Sequence, residues 1–222
     1  MSAPPLPDRP DRPISSHPRG LVLLSGGFDS PVAAKMMLDR GWSLEAVHYS
    51  LEPATDDATV MKARALCRVL GIRDLHVVPC GTQFALIAKR ADPRYYFVVS
   101  KRMMLRVAER IAKSRGLGAL VTGESLGQVS SQTLQNLAAI DAVAGLPVVR
   151  PLIGFDKQEI IDRAKAQGTY ETSVGPEVCD MFGPKYPATK ATVERAEQEE
   201  RSARPEELLT AALGSSRLES IS

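Results

Sequence analysis

Short apolar runs alternate with longer amphipathic segments along most of the chain. Mainly apolar runs predict buried strands at 21–24, 44–48, 75–78, 119–122 and 147–150. Apolar residues spaced three or four apart predict helices at 31–38, 57–70, 97–115, 130–142 and 156–167. This alternation predicts an α/β, Rossmann-like fold, in which a parallel sheet has helices on both faces.

The two ends of the chain depart from this pattern. Residues 1–19 are punctuated by proline and predict a disordered tail. Residues 190–222 predict two charged helices, at about 190–202 and 205–213, followed by a short tail. We therefore expect one α/β domain over 20–189 between these two terminal segments.

Length and composition exclude two classes of protein. No apolar run in the 222 residues approaches the length of a membrane span, and the N-terminus has no signal-peptide core. Three cysteines in a chain of this size do not form a disulfide framework. We therefore expect reduced thiols and a cytoplasmic location away from the membrane.

Basic residues concentrate in one segment of the chain. Between Lys89 and Arg115, nine basic residues stand against two acidic ones. Such an excess attracts the phosphates of a nucleotide or of nucleic acid, and it is equally consistent with a solvated helix face.

A glycine-rich loop, SGGFDS at 25–30, follows the first predicted strand. Glycines let successive N–H groups point inward, and the helix that follows adds the positive end of its dipole. An acid such as Asp29 beside phosphates is explained by a magnesium-ligand or polarising role. The loop predicts a phosphate site, although it lacks the Walker A pattern and a plain tight turn is the simpler alternative.

A second loop, Gly123-Glu124-Ser125-Leu126-Gly127, matches the GxSxG pattern of serine hydrolases. That mechanism uses a histidine downstream of the serine, whereas the histidines here are all upstream, at 17, 48 and 76. The loop is better explained as backbone that lines a nucleotide.

Several longer motifs resemble the catalytic domain of the tRNA 4-thiouridine synthetase family (ThiI). The resemblance covers about residues 20–191 and is carried by SGGFDSPVAAKMMLDRGW, AVHY, KRMMLRVAERIA, LVTGESLGQVSSQTLQNLAAID, VVRPLIGFDKQEII and EVCDMFGPKYPATKA. It implies that 20–189 is a PP-loop ATP-binding catalytic domain, similar to ATP pyrophosphatases, which cleave ATP between the α- and β-phosphates. In this family the domain adenylates a tRNA uridine, and persulfide sulfur then displaces AMP to give 4-thiouridine.

The resemblance also implies the roles of individual residues. Asp29 and Lys157 match residues needed for adenylation, Lys157 by offsetting charge on the α-phosphate or the leaving pyrophosphate. The implied cofactors are ATP and Mg²⁺, the metal through Asp29. The residues implied to contact ATP are Leu23, Leu24, Ser25, Gly26, Gly27, Asp29, Ser30, His48, Tyr49, Lys101, Gly123 and Gln132.

Cys179 matches the family's sulfur-transfer cysteine, a role that suits a nucleophilic thiolate. Cys67 lies on the apolar side of a predicted helix and is expected to be packing. Cys80 ends a predicted strand and is expected to face the crevice. An iron–sulfur cluster on all three is a lesser alternative, because the CxxC pair of related thiolases is absent.

The resemblance implies tRNA as the acceptor and a cysteine desulfurase or another protein as the sulfur donor. The THUMP and rhodanese domains of longer members have no counterpart in this sequence. We therefore expect a stand-alone domain that uses a separate THUMP-type RNA-binding protein or forms a homodimer. Its own RNA contact is expected to be weak and to use Arg102, Arg106, Arg110 and Lys113.

Two other functions stay open at this point. The chain could insert sulfur into another acceptor, for example in thiamine metabolism, or it could be a nucleotide-binding module that no longer catalyses. The presence of Asp29, Lys157 and Cys179 argues against the second.

Overall fold

Six strands form one mixed sheet within residues 18–174 and 181–222, the part of the chain that the computed structural model describes. The strands are β1 (Arg19–Leu23), β2 (Ser43–Ser50), β3 (Asp74–Pro79), β4 (Ala119–Val121), β5 (Val148–Val149) and β6 (Arg217–Ser220). Their order across the sheet is β5-β4-β1-β2-β3-β6. β1 to β5 pair in parallel, as the alternating pattern predicts.

β6 corrects the expectation of a purely parallel sheet, because it pairs antiparallel with β3 at the edge. Its four residues, RLES, are mostly exposed and contain no apolar run. An edge strand with one solvated side needs no continuous apolar sequence, which is why the pattern did not reveal it.

The helices follow the predicted positions closely. They are α1 (Asp29–Leu38), α2 (Ala58–Leu70), α3 (Gly81–Arg90), α4 (Tyr96–Ser114), α5 (Leu134–Asp141), α6 (Lys157–Ala166), α7 (Tyr170–Ser173), α8 (Val193–Ala203) and α9 (Pro205–Ser215). The helix predicted at 130–142 is shorter than expected, because α5 begins only after Thr133, whose hydroxyl accepts a hydrogen bond from Asn136 N at 3.2 Å. The short helices α3 and α7 were not predicted.

The helices cover both faces of the sheet and create two separate hydrophobic clusters. On one face, residues such as Val32, Leu66 and Ile160 pack α1, α2 and α6 against the strands. On the other, α3, α4, α5, α8 and α9 contribute a second cluster, which includes Val107 and Leu208. The predicted two-sided α/β architecture is confirmed.

The terminal segments differ in part from the prediction. The tail predicted over 1–19 extends too far, because Arg19 already belongs to β1, and residues 1–17 lie outside the described part of the chain. The two predicted C-terminal helices are present as α8 and α9, and they contact α4 instead of standing apart from the domain.

A buried ion pair joins α8 to α4. The side chain of Arg102 is 1 % exposed, and its Nη2 lies 2.8 Å from Oε2 of Glu200. Arg106 Nε donates to the other oxygen of Glu200, also at 2.8 Å. Burial by itself raises the pKa of Glu200, but the hydrogen bonds from Arg106 and Arg102 outweigh it, so the pKa lies below its ordinary value.

This ion pair corrects the predicted RNA surface. Arg102 cannot contact RNA, because α8 covers its guanidinium group. Arg106 is partly exposed, but its guanidinium group is bound to the same carboxylate, that of Glu200. Arg110 and Lys113 are exposed, and Lys113 forms an ion pair with Glu109. The basic positions of α4 therefore serve internal packing more than they form an open cationic face.

We predict that Glu200→Ala lowers the free energy of unfolding by about 3–5 kcal/mol, because it leaves the Arg102 charge buried without a partner. Glu197→Ala is the matched control on the same helix, since Glu197 is half exposed and its one ion pair within the described residues is a 3.8 Å contact with Arg201; we expect a change of at most about 1 kcal/mol. Urea unfolding of both variants measures the difference. Equal stabilities would contradict the structural role of the pair.

Candidate nucleotide-binding site

The crevice of this sheet lies between β1 and β4. From β1 the chain continues to β2 and β3 on one side, and it then returns to the other side of β1, where β4 and β5 lie. The strand order therefore reverses between β1 and β4. Ligands of open α/β sheets bind outside the carboxyl ends of the strands at such a reversal. The loop after β1 and the loop after β4 therefore form the two walls of the candidate site.

The two loops touch at Gly123. A Cβ atom added to this residue would lie 2.4 Å from the backbone nitrogen of Ser30 and 2.6 Å from the carbonyl carbon of Asp29. No side chain fits at that distance, so only glycine allows the β4 loop to approach the first turn of α1. This contact fixes the width of the crevice.

The loop at 25–30 is braced by its own serines. The backbone N–H of Ser25 donates to Oγ of Ser30 at 2.7 Å, and the two hydroxyl oxygens lie 2.9 Å apart. Gly27 N–H donates to Oγ of Ser25 at 3.3 Å. The hydroxyl of Ser30 thus holds the loop in shape. Asp29 opens α1, where the positive end of the helix dipole favours a carboxylate.

His48 lies at the end of β2 with its ring against the loop. Nδ1 is 2.9 Å from the carbonyl oxygen of Leu24, which can only accept, so Nδ1 carries the hydrogen. Burial lowers the pKa of His48, against the opposing effect of that hydrogen bond, so the ring is neutral at pH 7. Nε2 is buried and has no hydrogen-bond partner among the described residues.

Tyr49, which the resemblance implied to contact ATP together with His48, has its side chain on the other face of the sheet. Successive side chains of a strand point to opposite faces, and the Tyr49 hydroxyl donates to the carbonyl of Met104 on α4 at 2.6 Å. Burial raises the pKa of Tyr49 well above its ordinary value. Its side chain belongs to the cluster on the α4 face, so any contact with a nucleotide on the His48 side falls to its backbone.

Lys101 reaches the crevice as part of a charged network. Its Nζ lies 2.6 Å from Oε1 of Glu124, and Arg150 Nε lies 2.8 Å from Oε2 of the same carboxylate. Arg150 also forms two hydrogen bonds with Asp141, at 2.8 and 2.6 Å. Burial raises the pKa of Glu124, but the charges of Lys101 and Arg150 outweigh it and lower the pKa to about 2.

Gln132 and Asn136 organise the far end of the β4 loop. The backbone carbonyl of Gln132 accepts from Gly127 N–H at 2.9 Å, whereas its side-chain Oε1 is buried without a hydrogen-bond partner among the described residues. Asn136 is fully buried and donates to the carbonyls of Ser130 and Ala188. The roles of Glu124 and Arg150 in the charged network, and of Asn136 in holding the loop, were missed in the sequence, because no spacing rule pairs residues across separate elements.

Ser125 is a structural residue. Its side chain is 1 % exposed, and its hydroxyl donates to the carbonyl of Phe155 at 2.6 Å. A buried hydroxyl committed to a backbone carbonyl is not an available nucleophile. This geometry supports the preference for a nucleotide-lining loop over a serine hydrolase.

Lys157 begins α6 and borders an open pocket of about 440 Å³. Asp156 and Glu159 form a capping box that fixes this helix start, and Lys157 itself is exposed. α6 packs against α1, which begins at the phosphate loop. The pocket is lined by Leu126, Gly127, Gln128, Ile153, Gly154, Phe155, Asp156 and Lys157.

Cys67 and Cys80 lie on opposite sides of the sheet. Cys67 and Cys80 are fully buried in the two hydrophobic clusters, which are on opposite faces of the sheet. Burial raises the pKa of both thiols to about 12. The expectation that Cys80 faces the crevice is wrong, because its side chain packs in the α4-side cluster. Cys179 lies outside the described residues.

This separation argues against an iron–sulfur cluster held by all three cysteines, since the sheet stands between Cys67 and Cys80. Within 18–174 and 181–222, there is no group of three or more histidine, cysteine or acidic side chains placed to hold a metal. Among the same residues, no helix has the length and apolar character needed to cross a membrane.

Known proteins share both the sequence and the architecture of this chain. The family model described as thiamine biosynthesis protein (ThiI) matches residues 15–204. A probable tRNA sulfurtransferase of Caldanaerobacter subterraneus subsp. tengcongensis is 46% identical over 85% of this chain, and one of Bacillus velezensis is 44% identical over 83%. The crystal structure of a 4-thiouridine synthetase in complex with RNA and bound ATP superposes with a TM-score of 0.87 at 40% identity.

The match covers unequal shares of the proteins compared. The chain spans about half of the curated relatives, 52% and 48% of their lengths, and the synthetase alignment covers 92% of this chain and 55% of that one. Within this chain, the family match covers most of the residues, and it includes the loops after β1 and β4 that form the two walls of the crevice. The chain therefore belongs to the thiamine biosynthesis protein (ThiI) family.

Proposed function

We propose that this chain is the ATP-using catalytic domain of a tRNA sulfurtransferase, which adenylates a uridine and replaces its oxygen with sulfur. The observation that carries the proposal is the close contact between the phosphate loop and Gly123, which lies where the strand order reverses. Relatives are named tRNA sulfurtransferases, and the solved 4-thiouridine synthetase contains bound ATP.

The residues around the crevice suit ATP. The start of α1, at the end of the 25–30 loop, favours phosphate oxygens through the positive end of its helix dipole. Nε2 of His48 and Oε1 of Gln132 are buried hydrogen-bonding atoms that a nucleotide can satisfy, and leaving such atoms unpaired costs about 1–3 kcal/mol each. Nε2 carries no hydrogen, so it is an acceptor for a donor such as the adenine amino group.

For Lys101 to contact the nucleotide, the ion pair between its ammonium group and Glu124 has to open. In the structure that carboxylate neutralises both Lys101 and Arg150. A phosphate or ribose oxygen can replace one carboxylate oxygen, because Arg150 keeps Glu124 ionised after Lys101 turns away. The network therefore holds the Lys101 ammonium group at Glu124, the residue that follows Gly123.

In the proposed reaction the uridine carbonyl oxygen attacks the α-phosphorus of ATP, and the bond to the leaving pyrophosphate breaks. Lys157 offsets the charge that develops on the phosphates, and Mg²⁺ held through Asp29 would neutralise them further. The sulfur donor then leaves a persulfide on Cys179, whose terminal sulfur attacks the activated carbon, so the carbon–sulfur bond forms as AMP leaves. This gives a mixed disulfide between Cys179 and the nucleoside sulfur. A second thiol, from the donor protein or a thiol reductant, attacks Cys179 Sγ, which breaks the S–S bond, releases 4-thiouridine and leaves Cys179 in a disulfide that a further thiol reduces.

RNA binding by this segment alone is proposed to be weak. Of the four basic residues predicted for it, Arg102 is buried and Arg106 is held by Glu200, which leaves Arg110 and Lys113 exposed. Two or three phosphate contacts give a low affinity with a shallow salt dependence. Selectivity for tRNA is therefore proposed to come from a THUMP-type RNA-binding protein or from a second copy of the chain.

Sulfur insertion into a thiamine precursor is the second candidate, because the matching family is described by thiamine biosynthesis. Both reactions can use the same activation of a carbonyl oxygen. Mass spectrometry of tRNA nucleosides from a deletion strain separates them: loss of 4-thiouridine supports the first, and normal 4-thiouridine with a thiamine requirement supports the second.

We predict that Lys157→Ala lowers the rate of AMP and pyrophosphate formation by about 100-fold or more, because it removes a charge that stabilises the transition state. Asp29→Asn, which keeps the size of the side chain, should have a similar effect. Lys165→Ala is the control, since Lys165 is exposed on the same helix. Turnover of ATP at the normal rate by the first two variants would refute their assigned roles.

A separate prediction distinguishes adenylation from sulfur transfer. Cys179→Ser should still form AMP when the acceptor is present but should transfer no sulfur, since a hydroxyl cannot carry a persulfide. Cys80→Ala is the control and should keep transfer, because the Cys80 thiol is fully buried. Formation of 4-thiouridine by Cys179→Ser would move the sulfur chemistry to another group.

A further inference from the structure

Lys62 is a basic residue that no motif singled out, and it lies against the phosphate loop. We propose that its ammonium group binds the β- and γ-phosphates of ATP, as a further substrate-binding residue of this site. The inference rests on the proposed use of ATP and adds a contact from α2, an element to which the sequence assigned no part in the site.

The position of Lys62 is fixed by its contact with Gly26. A Cβ atom added to Gly26 would lie 2.9 Å from Cδ of Lys62 and 3.8 Å from its Nζ. The aliphatic stem of the lysine therefore crosses the surface of the loop where glycine leaves room for it. An anion bound at Gly26 would lie next to the ammonium group, because Nζ is 3.8 Å from the position of that Cβ atom.

The hydrogen bond that Lys62 makes in the structure is weak. Its Nζ donates to the backbone carbonyl of Ser173, at the end of α7, over 3.3 Å. No carboxylate of the described residues lies within ion-pair distance of it. A phosphate oxygen, which carries negative charge, is a better acceptor than a neutral carbonyl at this distance.

Neighbouring cations differ from Lys62 in this respect. Arg64, two residues along the same helix, is held by both oxygens of Glu219 at 2.7 and 2.9 Å. Lys101, across the crevice, is paired with Glu124. Arg64 thus fastens α2 to β6, whereas Nζ of Lys62 lies beside Gly26 of the phosphate loop without a carboxylate partner among the described residues.

The chemistry of lysine suits this place. Its ammonium group is a compact charge with three N–H donors on a flexible stem, so it can follow a phosphate chain as the β–γ unit leaves. Lys157 on α6 is proposed to act near the reacting α-phosphate. Lys62 would hold the other end of the triphosphate, so that the bond between the α- and β-phosphates lies between two positive charges.

The test compares nucleotide affinities of the full chain by isothermal titration calorimetry. Lys62→Met keeps the aliphatic stem over Gly26 and removes the charge. We expect it to weaken binding of ATP and of pyrophosphate by about 10- to 100-fold, the loss for a hydrogen bond to a charged group, and to leave AMP affinity unchanged. Lys62→Arg should restore most of the ATP affinity.

The controls separate this inference from the proposed function. Lys89→Met makes the same change at an exposed lysine of α3 and should bind ATP normally. Equal ATP affinity of Lys62→Met and the unchanged chain would overturn the inference alone, as would an equal loss of AMP affinity, which would indicate damage to the whole site. Failure of the unchanged chain to bind ATP would overturn the proposed function and this contact with it.

Discussion

The approach of Gly123 to the first turn of α1 is the constraint on which the rest of the site depends. At 2.4 Å from Ser30 N, the position of a Cβ atom is already filled, so the β4 loop can take its place only as glycine. This contact holds the end of β4 next to the phosphate loop, and it places Glu124, the next residue, at the crevice. Glu124 in turn orients Lys101 from α4 and Arg150 from the end of β5.

The helix that supplies Lys101 is also held from its other side. Arg102, the next residue, is buried against Glu200 of α8, and α9 packs beside it. A single turn of α4 therefore directs one cation, Lys101, to Glu124 at the crevice and the next, Arg102, to the C-terminal helices. Because breaking a buried ion pair leaves an uncompensated charge, the contact with Glu200 stabilises the helix that carries Lys101.

The positive charges near the proposed phosphates come from three helices on different parts of the sheet. α2 provides Lys62, α4 provides Lys101 and α6 provides Lys157, while the N-terminus of α1 adds its dipole. Each helix is anchored by other residues: Arg64 and Glu219 for α2, and the capping box of Asp156 and Glu159 for α6. The lysine side chains can therefore rotate, whereas the helix backbones that carry them are held in place.

The sequence by itself determined the order of the five parallel strands and of the longer amphipathic helices between them, because short apolar runs and helical spacing are different patterns; it did not reveal β6, α3 or α7. It also predicted the phosphate loop, which depends on local glycine geometry. Only the tertiary structure decided which polar residues are available: Arg102 has the spacing of an exposed residue until α8 covers it, and His48 and Tyr49 separate onto opposite faces. Spacing along one helix or strand does not record which distant segment packs against it, and burial, hydrogen bonding and charge pairing depend on that packing.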